Sequence, residues 1–259
     1  HALSYLGRLD EAAAAYRAWL AREPGHPLAE LRLAACGGAP APARCSDAVM
    51  RGLFDQYADH FDAHLRERLD YRAPEQLVDA LALVLDAPAA ALDVLDAGCG
   101  TGLCGPLLRP YARRLHGVDL SPKMLGQAAA RALYDALDAG ELCAWLDAHP
   151  GALDLVVAAD TLCYFGELAG FARAAAGALR PGGWLAFTVE SHAAADDYRL
   201  NAMGRYSHAP AYPQRTLAQA GFRELRSHAV VLRREHDEPV AGLVVLARRG
   251  PAPGYACAH

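Results

Sequence analysis

A glycine-rich segment near the middle of the chain has the residue types of a nucleotide-cofactor loop. Residues 92–105 read Leu-Asp-Val-Leu-Asp-Ala-Gly-Cys-Gly-Thr-Gly-Leu-Cys-Gly, which predicts a buried strand that runs through a turn into a helix. Gly98, Gly100 and Gly102 let the backbone turn sharply and approach a ligand that a Cβ atom would block. The free N–H groups at the start of the helix would face the same ligand.

A carboxylate follows the second predicted strand at a distance suited to ribose binding. Asp119 ends this strand and lies 17 residues beyond Gly102, close to the separation of about 20 that is typical of one βαβ unit with a bound ribose. Ser121 and Pro122 then open a helix as its N-cap and first residue. Asp119 could serve only as a capping residue, but its spacing from the glycine loop favours a ligand role.

The glycine spacing separates two classes of cofactor. A dinucleotide fingerprint has the form G-x-G-x-x-G/A, and its third small position falls on Leu103 when it is counted from Gly98. The segment instead reads Asp-x-Gly-x-Gly-x-Gly from Asp96, which resembles the first motif of class I S-adenosylmethionine-dependent methyltransferases. This resemblance implies S-adenosyl-L-methionine as the cofactor, with Asp119 on its ribose hydroxyls. It places five loop residues against the cofactor: Asp96, Gly98, Cys99, Gly100 and Gly102.

The resemblance covers residues 47–249 and implies further cofactor contacts outside the loop. These are Tyr57, Tyr71, Leu120, Met124, Glu141, Leu142 and Asp160. The two tyrosines each couple an apolar ring to a hydroxyl that could reach a carboxylate, whereas Met124 is explained equally well as a core residue. Asp160 follows the predicted fourth strand, where the family opens toward cofactor and acceptor. The residues there are not Asn/Asp-Pro-Pro-Tyr, which argues against methylation of adenine or amide nitrogens.

The region before the glycine loop is predicted to be helical. Residues 5–35 are alanine-rich and resemble one tetratricopeptide (TPR) repeat, and residues 54–62 resemble the F-D-x-Y-A-x-x-F-D helix of bacterial TPR-containing methyltransferases. A single repeat cannot bury its own apolar face, so it must pack on the rest of the chain, on a portion that precedes His1 or on another subunit, and the last case would make it a site of protein contact. The predicted organisation is a TPR-like remnant (1–36), a linker (37–46), a helical lid (47–90), a methyltransferase domain (91–249) and a tail (250–259).

Strands and helices alternate after residue 91, which predicts an α/β fold with a doubly wound, mostly parallel, Rossmann-like sheet. Seven strands are expected, near 93–97, 114–119, 140–144, 153–159, 183–190, 223–232 and 239–247. The last two are separated by too few residues for a parallel crossover. They should therefore form a hairpin that makes the last strand antiparallel, unlike the strands of an all-parallel dehydrogenase domain.

Composition limits the partners that the chain could bind. Of its 259 residues 53% are hydrophobic and 21% are charged, and the net charge is -5, so no basic field is available for a nucleic acid. Its 7 cysteines lack a C-x-x-C pair, which argues against a zinc site and favours a reducing, cytoplasmic location. No apolar run is long enough to span a membrane. We therefore expect a small-molecule acceptor, with a protein acceptor as the alternative, and no metal, nucleic acid or membrane partner.

The acceptor side is predicted in the segment between the fifth strand and a helix near 212–220, because long loops in compact domains are usually functional. His208 is the favoured general base, since its ordinary pKa lies near the working pH. Tyr206 and Glu190 are the alternative catalytic residues. Arg205 is expected to engage an anionic group of the acceptor.

Two other functions remain open at the level of sequence. The chain could be an adaptor that binds the cofactor without turnover, or a nicotinamide-dependent oxidoreductase that shares the strand, loop and acidic residue. Turnover would exclude the first, and tight NADH binding would indicate the second. The acceptor itself cannot be read from the fold class, which carries many unrelated substrates.

Overall fold

The computed structural model describes residues 2–235 and 238–251 of the chain. The described helices before the sheet are α1 (Ala2–Tyr5), α2 (Leu9–Arg22), α3 (Pro27–Ala35), α4 (Asp47–Tyr57), α5 (Phe61–Arg68) and α6 (Ala73–Leu81). A 3₁₀ turn, Ala58–His60, joins α4 to α5. None of the described helices combines the length and apolar character that crossing a membrane requires.

The described strands are β1 (Leu92–Ala97), β2 (Ala112–Asp119), β3 (Ala136–Ala139), β4 (Leu153–Ala158), β5 (Leu179–Ser191), β6 (Tyr198–Leu200), β7 (Tyr206–His208), β8 (Phe222–Glu235) and β9 (Glu238–Arg249). The helices between them are α7 (Gly105–Leu108), α8 (Pro122–Ala130), α9 (Leu142–Asp147), α10 (Ala169–Ala178) and α11 (Ala211–Gln219). A second 3₁₀ turn, Leu162–Tyr164, follows β4.

The strands form one sheet whose parallel part has the order β3-β2-β1-β4-β5. The long strand β9 pairs antiparallel with β5, and β8 pairs antiparallel with β9. At the carboxyl end of β5, β7 pairs in parallel and β6 pairs antiparallel with β7. The predicted doubly wound, mostly parallel sheet and its antiparallel hairpin are confirmed.

The strand β1 is buried on both faces because helices cover both sides of the sheet. Val94 belongs to a core cluster with Leu77 of α6, whereas Leu95 belongs to a second cluster with Phe171 of α10. A strand in this position reads as a nearly continuous apolar run rather than as an alternation. This burial fixes β1, and with it the start of the glycine loop.

The prediction of seven strands with the third at 140–144 is wrong in two respects. The third strand is Ala136–Ala139, a short edge strand, and the next residues form α9 because the Glu141 carboxylate accepts a hydrogen bond from the Ala144 N–H at 2.8 Å. Glutamate is not among the preferred N-caps, so this helix start is hard to read. The sheet of the described residues has nine strands rather than seven. The two additional strands, β6 and β7, have only three residues each, which is too short for a recognisable sequence pattern.

The N-terminal helices are held to the sheet by the segment predicted as a linker. The N–H groups of Gly166 and Glu167 both donate to the Ala43 carbonyl, and the Cys45 N–H donates to Tyr164. The Tyr206 hydroxyl donates to the Pro42 carbonyl at 2.5 Å. Residues 2–35 are helical as expected, and their assignment as a TPR repeat remains a prediction.

Candidate cofactor and acceptor site

A cavity lies at the carboxyl ends of β1, β2 and β4, which is where open α/β sheets bind their ligands. It collects most of the predicted cofactor residues into one wall, namely Tyr71, Asp96, Gly98, Cys99, Gly100, Asp119, Leu120, Met124, Glu141, Leu142 and Asp160. Gly102 and Tyr57 lie outside this wall. Tyr57 is 47% exposed and borders a neighbouring groove between α3 and α4.

The three glycines of the loop have different roles. All have positive φ, but a Cβ atom on Gly98 would lie 2.4 Å from Thr161 Oγ1, and one on Gly102 would lie 3.0 Å from the Tyr134 ring. These two positions therefore require glycine for packing of the protein itself. A Cβ atom on Gly100 would have no neighbour closer than Phe61, at 4.0 Å. Gly100 thus borders open space where a ligand could approach the backbone.

Asp119 ties the loop to the second strand. Its carboxylate accepts hydrogen bonds from the N–H groups of Gly100, at 2.9 Å, and Ser121, at 2.8 Å. Burial raises the pKa of Asp119, and the backbone donors partly offset that effect. Each carboxylate oxygen has a further lone pair, so the residue could also accept hydrogen bonds from a ligand in the cavity.

Asp96 is a second buried carboxylate at the loop, and only 1% of it is exposed. Burial raises its pKa to about 7, and the nearby charge of Asp119 adds to this effect. The Tyr134 hydroxyl opposes the shift by donating to Asp96 at 2.6 Å. The two loop carboxylates therefore differ in environment: Asp119 has backbone donors, whereas Asp96 has one side-chain donor in a more apolar position.

The segment from α4 to α5 forms an apolar wall of the cavity through Phe54, Phe61 and Leu65. Helix α4 begins at Asp47 because the Ser46 hydroxyl accepts a hydrogen bond from the Val49 N–H, and its apolar stripe faces inward. Within the region predicted as a helical lid (47–90), we keep the name lid for residues 47–73.

Polar contacts hold the lid against the cofactor loop and α8. Asp55 accepts a hydrogen bond from the Ser121 hydroxyl at 2.6 Å. Asp62 accepts one from the Thr101 hydroxyl at 2.5 Å and forms an ion pair with Arg131. The lid therefore contacts both the glycine loop and the helix that follows Asp119.

A network of charged side chains, of which Glu190 and Arg233 are buried, closes the cavity at the carboxyl end of β4. Arg233, at the tip of the β8–β9 hairpin, forms ion pairs with Asp160 at 3.0 Å, with Glu235 at 2.8 Å and with Glu190. Arg205 pairs with Glu190 at 3.0 Å and with Glu235. Both arginines and Asp160 belong to the cavity wall. Since Arg205 is already held by two carboxylates, its expected role as a binder of an anionic acceptor does not fit this arrangement.

The three predicted catalytic residues do not belong to the cavity wall that the described residues form. His208 is completely buried, its Nε2 bonds the Gly166 carbonyl at 3.2 Å, and its ring stacks on Tyr212. Burial lowers its pKa to about 4. This position does not suit a general base, because a base must reach the acceptor. Tyr206 donates to a backbone carbonyl and Glu190 is held by arginines, so neither suits the role.

Sequence reasoning missed Arg233. Alternation along β8 would place Arg233 on the same face as Val231, which is 47% exposed, yet only 2% of Arg233 is exposed. The pairing of β8 with β9 shifts register between these two residues, and this bulge turns the arginine inward. A bulge has no reliable sequence signal, and the strand predicted at 223–232 ends before Arg233, so its inward position could not be read from the sequence.

Comparisons with known proteins agree with this geometry. Residues 95–185 match the model of a family described as a methyltransferase domain. The chain is 40% identical over 121 residues to human methyltransferase-like protein 27, covering 46% of this chain and 47% of that protein. It is 32% identical over 110 residues to a ubiquinone biosynthesis O-methyltransferase of Thiobacillus denitrificans, covering 40% and 46%. The matched region thus spans about half the length of these curated relatives.

Solved structures show the same fold. An S-adenosylmethionine-dependent methyltransferase of Mesorhizobium loti is 25% identical with a TM-score of 0.51, over 66% of this chain and 96% of that chain. Magnesium protoporphyrin IX methyltransferase of Synechocystis, solved with bound S-adenosylhomocysteine, is 20% identical with a TM-score of 0.59, over 79% and 99%. The chain has the fold of class I S-adenosylmethionine-dependent methyltransferases.

Proposed function

We propose that this chain transfers a methyl group from S-adenosyl-L-methionine to a small-molecule acceptor. The observation that carries the proposal is that Gly100 and Asp119, which are hydrogen-bonded to each other, both line the cavity together with the apolar side chains of the lid. Gly100 leaves open space beside the backbone, and Asp119 offers carboxylate oxygens at the end of the neighbouring strand. This is the arrangement that a ribose-bearing cofactor requires.

The residues of the wall suggest an orientation for the cofactor. Asp119 would accept hydrogen bonds from the ribose hydroxyls, and Leu120, Met124 and Leu142 would contact the adenine ring. Asp96 would face the ammonium group of the methionyl part, because a buried carboxylate is stabilised by a cation placed beside it. The remaining volume, toward Asp160, would receive the acceptor.

The protein contributes alignment and exclusion of water rather than covalent chemistry. When bound, S-adenosyl-L-methionine supplies an electrophilic methyl group on its sulfonium. The glycine loop and Asp119 would fix the position of this group, and the apolar lid would keep water from the reacting atoms. No histidine lies among the described residues that form the cavity wall. A proton leaving the acceptor would therefore pass to a carboxylate, such as Asp160, or to solvent.

The names of the relatives bear on the class of acceptor. One matched relative is an O-methyltransferase of ubiquinone biosynthesis, and one structural neighbour methylates magnesium protoporphyrin IX. Both names describe small molecules with large apolar parts. Aromatic and aliphatic side chains also dominate the lid side of this cavity, including Phe54, Phe61 and Leu65. We infer a small, largely apolar acceptor rather than a polynucleotide.

Calorimetric titration of the chain with S-adenosylhomocysteine and, separately, with NADH tests the cofactor assignment. We expect saturable binding of S-adenosylhomocysteine and no binding of NADH, and the reverse result would overturn the proposal. Incubation with methyl-labelled S-adenosyl-L-methionine and fractionated metabolite extracts then tests turnover. Label in a small-molecule fraction is expected. Binding without transfer to any fraction would favour an adaptor.

A further inference from the structure

We propose that Asp160 recognises a hydrogen-bond donor on the methyl acceptor, a hydroxyl or an amine, and that Arg233 is the residue that positions Asp160 for this task. The inference rests on the proposed function and deepens it, because it names the polar group of the acceptor. It assigns Asp160 to the acceptor rather than to the cofactor.

Asp160 has an uncommon backbone conformation. Its φ is +53°, in the left-handed region that residues other than glycine seldom adopt. The conformation is fixed from the neighbouring strand, because the Asp160 N–H donates to the Thr188 hydroxyl at 2.8 Å. Strained conformations of this kind persist where the surrounding structure determines them, and they cluster at functional sites. Here the conformation places the carboxylate in the cavity wall directly after β4.

The two oxygens of the Asp160 carboxylate have different environments. Oδ2 accepts from Arg233 Nη1 at 3.0 Å. Oδ1 is buried, yet it accepts no hydrogen bond from any residue that the structure describes. An unsatisfied buried acceptor costs free energy, and a carboxylate oxygen costs more than a neutral one. A donor group on a ligand in the cavity would supply the missing bond.

Arg233 is placed to hold this carboxylate in one orientation. Each of its three guanidinium nitrogens bonds a different carboxylate: Nη1 bonds Asp160, Nη2 bonds Glu190 and Nε bonds Glu235. Such a fixed fork of donors is specific to arginine, since a lysine ammonium lacks this planar geometry. Asp160 is thereby clamped through Oδ2, and Oδ1 keeps a defined position.

The charge of the network favours a donor over an anion. The guanidinium groups of Arg205 and Arg233 face the three carboxylates of Asp160, Glu190 and Glu235, which gives one excess negative charge. The guanidinium nitrogens of Arg233 all have carboxylate partners. A carboxylate or phosphate on the acceptor would add repulsion at this end of the cavity, whereas a hydroxyl or an ammonium group would be attracted.

The route to Asp160 is apolar. A groove between α3 and the lid shares wall residues with the cavity, among them Phe54, Phe61, Leu65 and Leu69. The groove leads to Arg205, at the charge network. An acceptor with an apolar body and a single donor group would therefore bury its body against the lid and its donor group at Asp160.

The test uses the chain saturated with S-adenosylhomocysteine and three small aromatic probes: catechol, a hydroxyl donor; benzylamine, an ammonium donor; and benzoate, an anion. We expect calorimetry or ligand-observed NMR to detect catechol or benzylamine but not benzoate. Asp160→Asn should weaken the bound donor probe about tenfold or more, as expected for loss of a hydrogen bond to a charged group. S-adenosylhomocysteine should keep its affinity in this variant.

Arg233→Lys tests the positioning role. It should weaken the donor probe in the native background and add little further loss when combined with Asp160→Asn, because the two residues act through one contact. A purely structural role would lower probe affinity equally in both backgrounds. Arg248→Lys, which changes an exposed ion pair with Glu224 on the same hairpin, is the matched control and should have no effect.

Three results would overturn the inference: preferential binding of benzoate, no binding of either donor probe to the native complex, or unchanged donor affinity in Asp160→Asn. A parallel loss of S-adenosylhomocysteine affinity in Asp160→Asn would also overturn it, because Asp160 would then serve the cofactor. If S-adenosylhomocysteine fails to bind the native chain, the proposed function fails first, and this inference fails with it.

Discussion

Asp96 and Asp119 are carboxylates on adjacent parallel strands, and their neighbours give them different properties. Asp119 accepts two backbone N–H groups, including that of Gly100, so it shapes the loop as well as facing the cavity. Asp96 has a tyrosine hydroxyl as its donor, and burial raises its pKa to about 7. A single class of side chain thus provides a structural anchor at one position and a group that titrates near neutral pH at the other.

Replacing Asp119 by alanine should remove most of the affinity for S-adenosylhomocysteine. Loss of the acceptor of two charge-assisted hydrogen bonds should cost about 2–4 kcal/mol of binding free energy. Calorimetry on Asp119→Ala measures the loss, and Asp147→Ala, at an exposed position on α9, is the control. Because Asp119 also anchors the loop, thermal unfolding without ligand should accompany the titration. Unchanged affinity in Asp119→Ala would contradict the ribose assignment.

The affinity for S-adenosylhomocysteine should depend on pH through Asp96. Burial raises the pKa of Asp96 to about 7 in the free protein, and an ammonium group placed beside it favours the ionised form. Below pH 7 binding must first remove a proton, so affinity should fall on acidification and be about tenfold lower at pH 6 than at pH 8. Titrations at both pH values measure the change.

Asp96→Asn is the control for this pH dependence. The asparagine side chain keeps an oxygen that can accept a hydrogen bond from Tyr134, but it cannot ionise. The affinity of this variant for S-adenosylhomocysteine should therefore be lower and should vary little between pH 6 and pH 8. A native chain whose affinity is the same at the two pH values would show that Asp96 does not face the ligand's ammonium group.

The location of the glycine loop and of Asp119 could be predicted from sequence, whereas the surroundings of His208 and Arg233 could not. The positions of Gly98 and Asp119 follow from local rules: a strand end, a turn that needs positive φ and a fixed spacing within one βαβ unit. Residue type favours His208 as a base, yet pairing of β7 with β5 buries it. The inward position of Arg233 depends on a bulge in the pairing of β8 with β9. Both environments depend on pairing between strands, which residue type and local spacing do not specify.

At the scale of elements, the lid combines an apolar inner face with polar contacts at its edges. Phe54 and Phe61 meet edge to face, with ring centroids 6.0 Å apart, above the cavity. Asp55 and Asp62 reach across to α8 and the glycine loop. The apolar stripe could be predicted from its helical spacing, but the partners of the two aspartates could not, because they come from elements later in the chain. Opening the lid would break these contacts together.

Binding of S-adenosylhomocysteine should slow hydrogen exchange across residues 47–73, because ligand contacts offset the cost of ordering the lid. Asp62→Asn should weaken the attachment to Thr101 and Arg131 and increase the rate of ligand dissociation by several-fold. Exchange measured by mass spectrometry and dissociation measured by stopped flow report the two effects. Asp59→Asn, at an exposed position in the same segment, should change neither.

Equal exchange protection of residues 47–73 with and without ligand would show that the segment is a rigid cap. In that case the aromatic stripe would be an ordinary packing face. An unchanged dissociation rate in Asp62→Asn would show separately that the polar contacts of Asp62 do not control opening. The two measurements therefore distinguish an immobile lid from a mobile one that is held by other contacts.

At the scale of the whole molecule, the N-terminal helices pack into the sheet domain as well as against one another. Leu31 of α3 belongs to a buried cluster with Met50 of α4 and Tyr206 of β7. Arg32 donates to the Met203 carbonyl at 3.0 Å, and Ala43 accepts two backbone hydrogen bonds from the segment after β4. The composition of residues 37–46, rich in glycine and proline, predicted a linker, but backbone hydrogen bonding is not encoded in composition.

These contacts predict that the N-terminal helices and the sheet unfold as one cooperative unit. Leu31→Ala should leave a cavity where α3, α4 and β7 meet and should lower the free energy of unfolding by about 2 kcal/mol. This value is near the lower end for a buried leucine, because Leu31 also borders the groove beside α3. Leu83→Ala is the matched control, since Leu83 is 67% exposed and its replacement should change stability little.

Urea unfolding followed by both circular dichroism and tryptophan fluorescence measures the change. If α1–α3 were an independent appendage, each probe would show two transitions, because Trp19 lies on α2 whereas Trp145 and Trp184 lie in the sheet domain, and Leu31→Ala would shift only one transition. A single transition that Leu31→Ala shifts equally for both probes, and that Leu83→Ala leaves in place, is the expected result, because Tyr206 of β7 packs in the same buried cluster as Leu31.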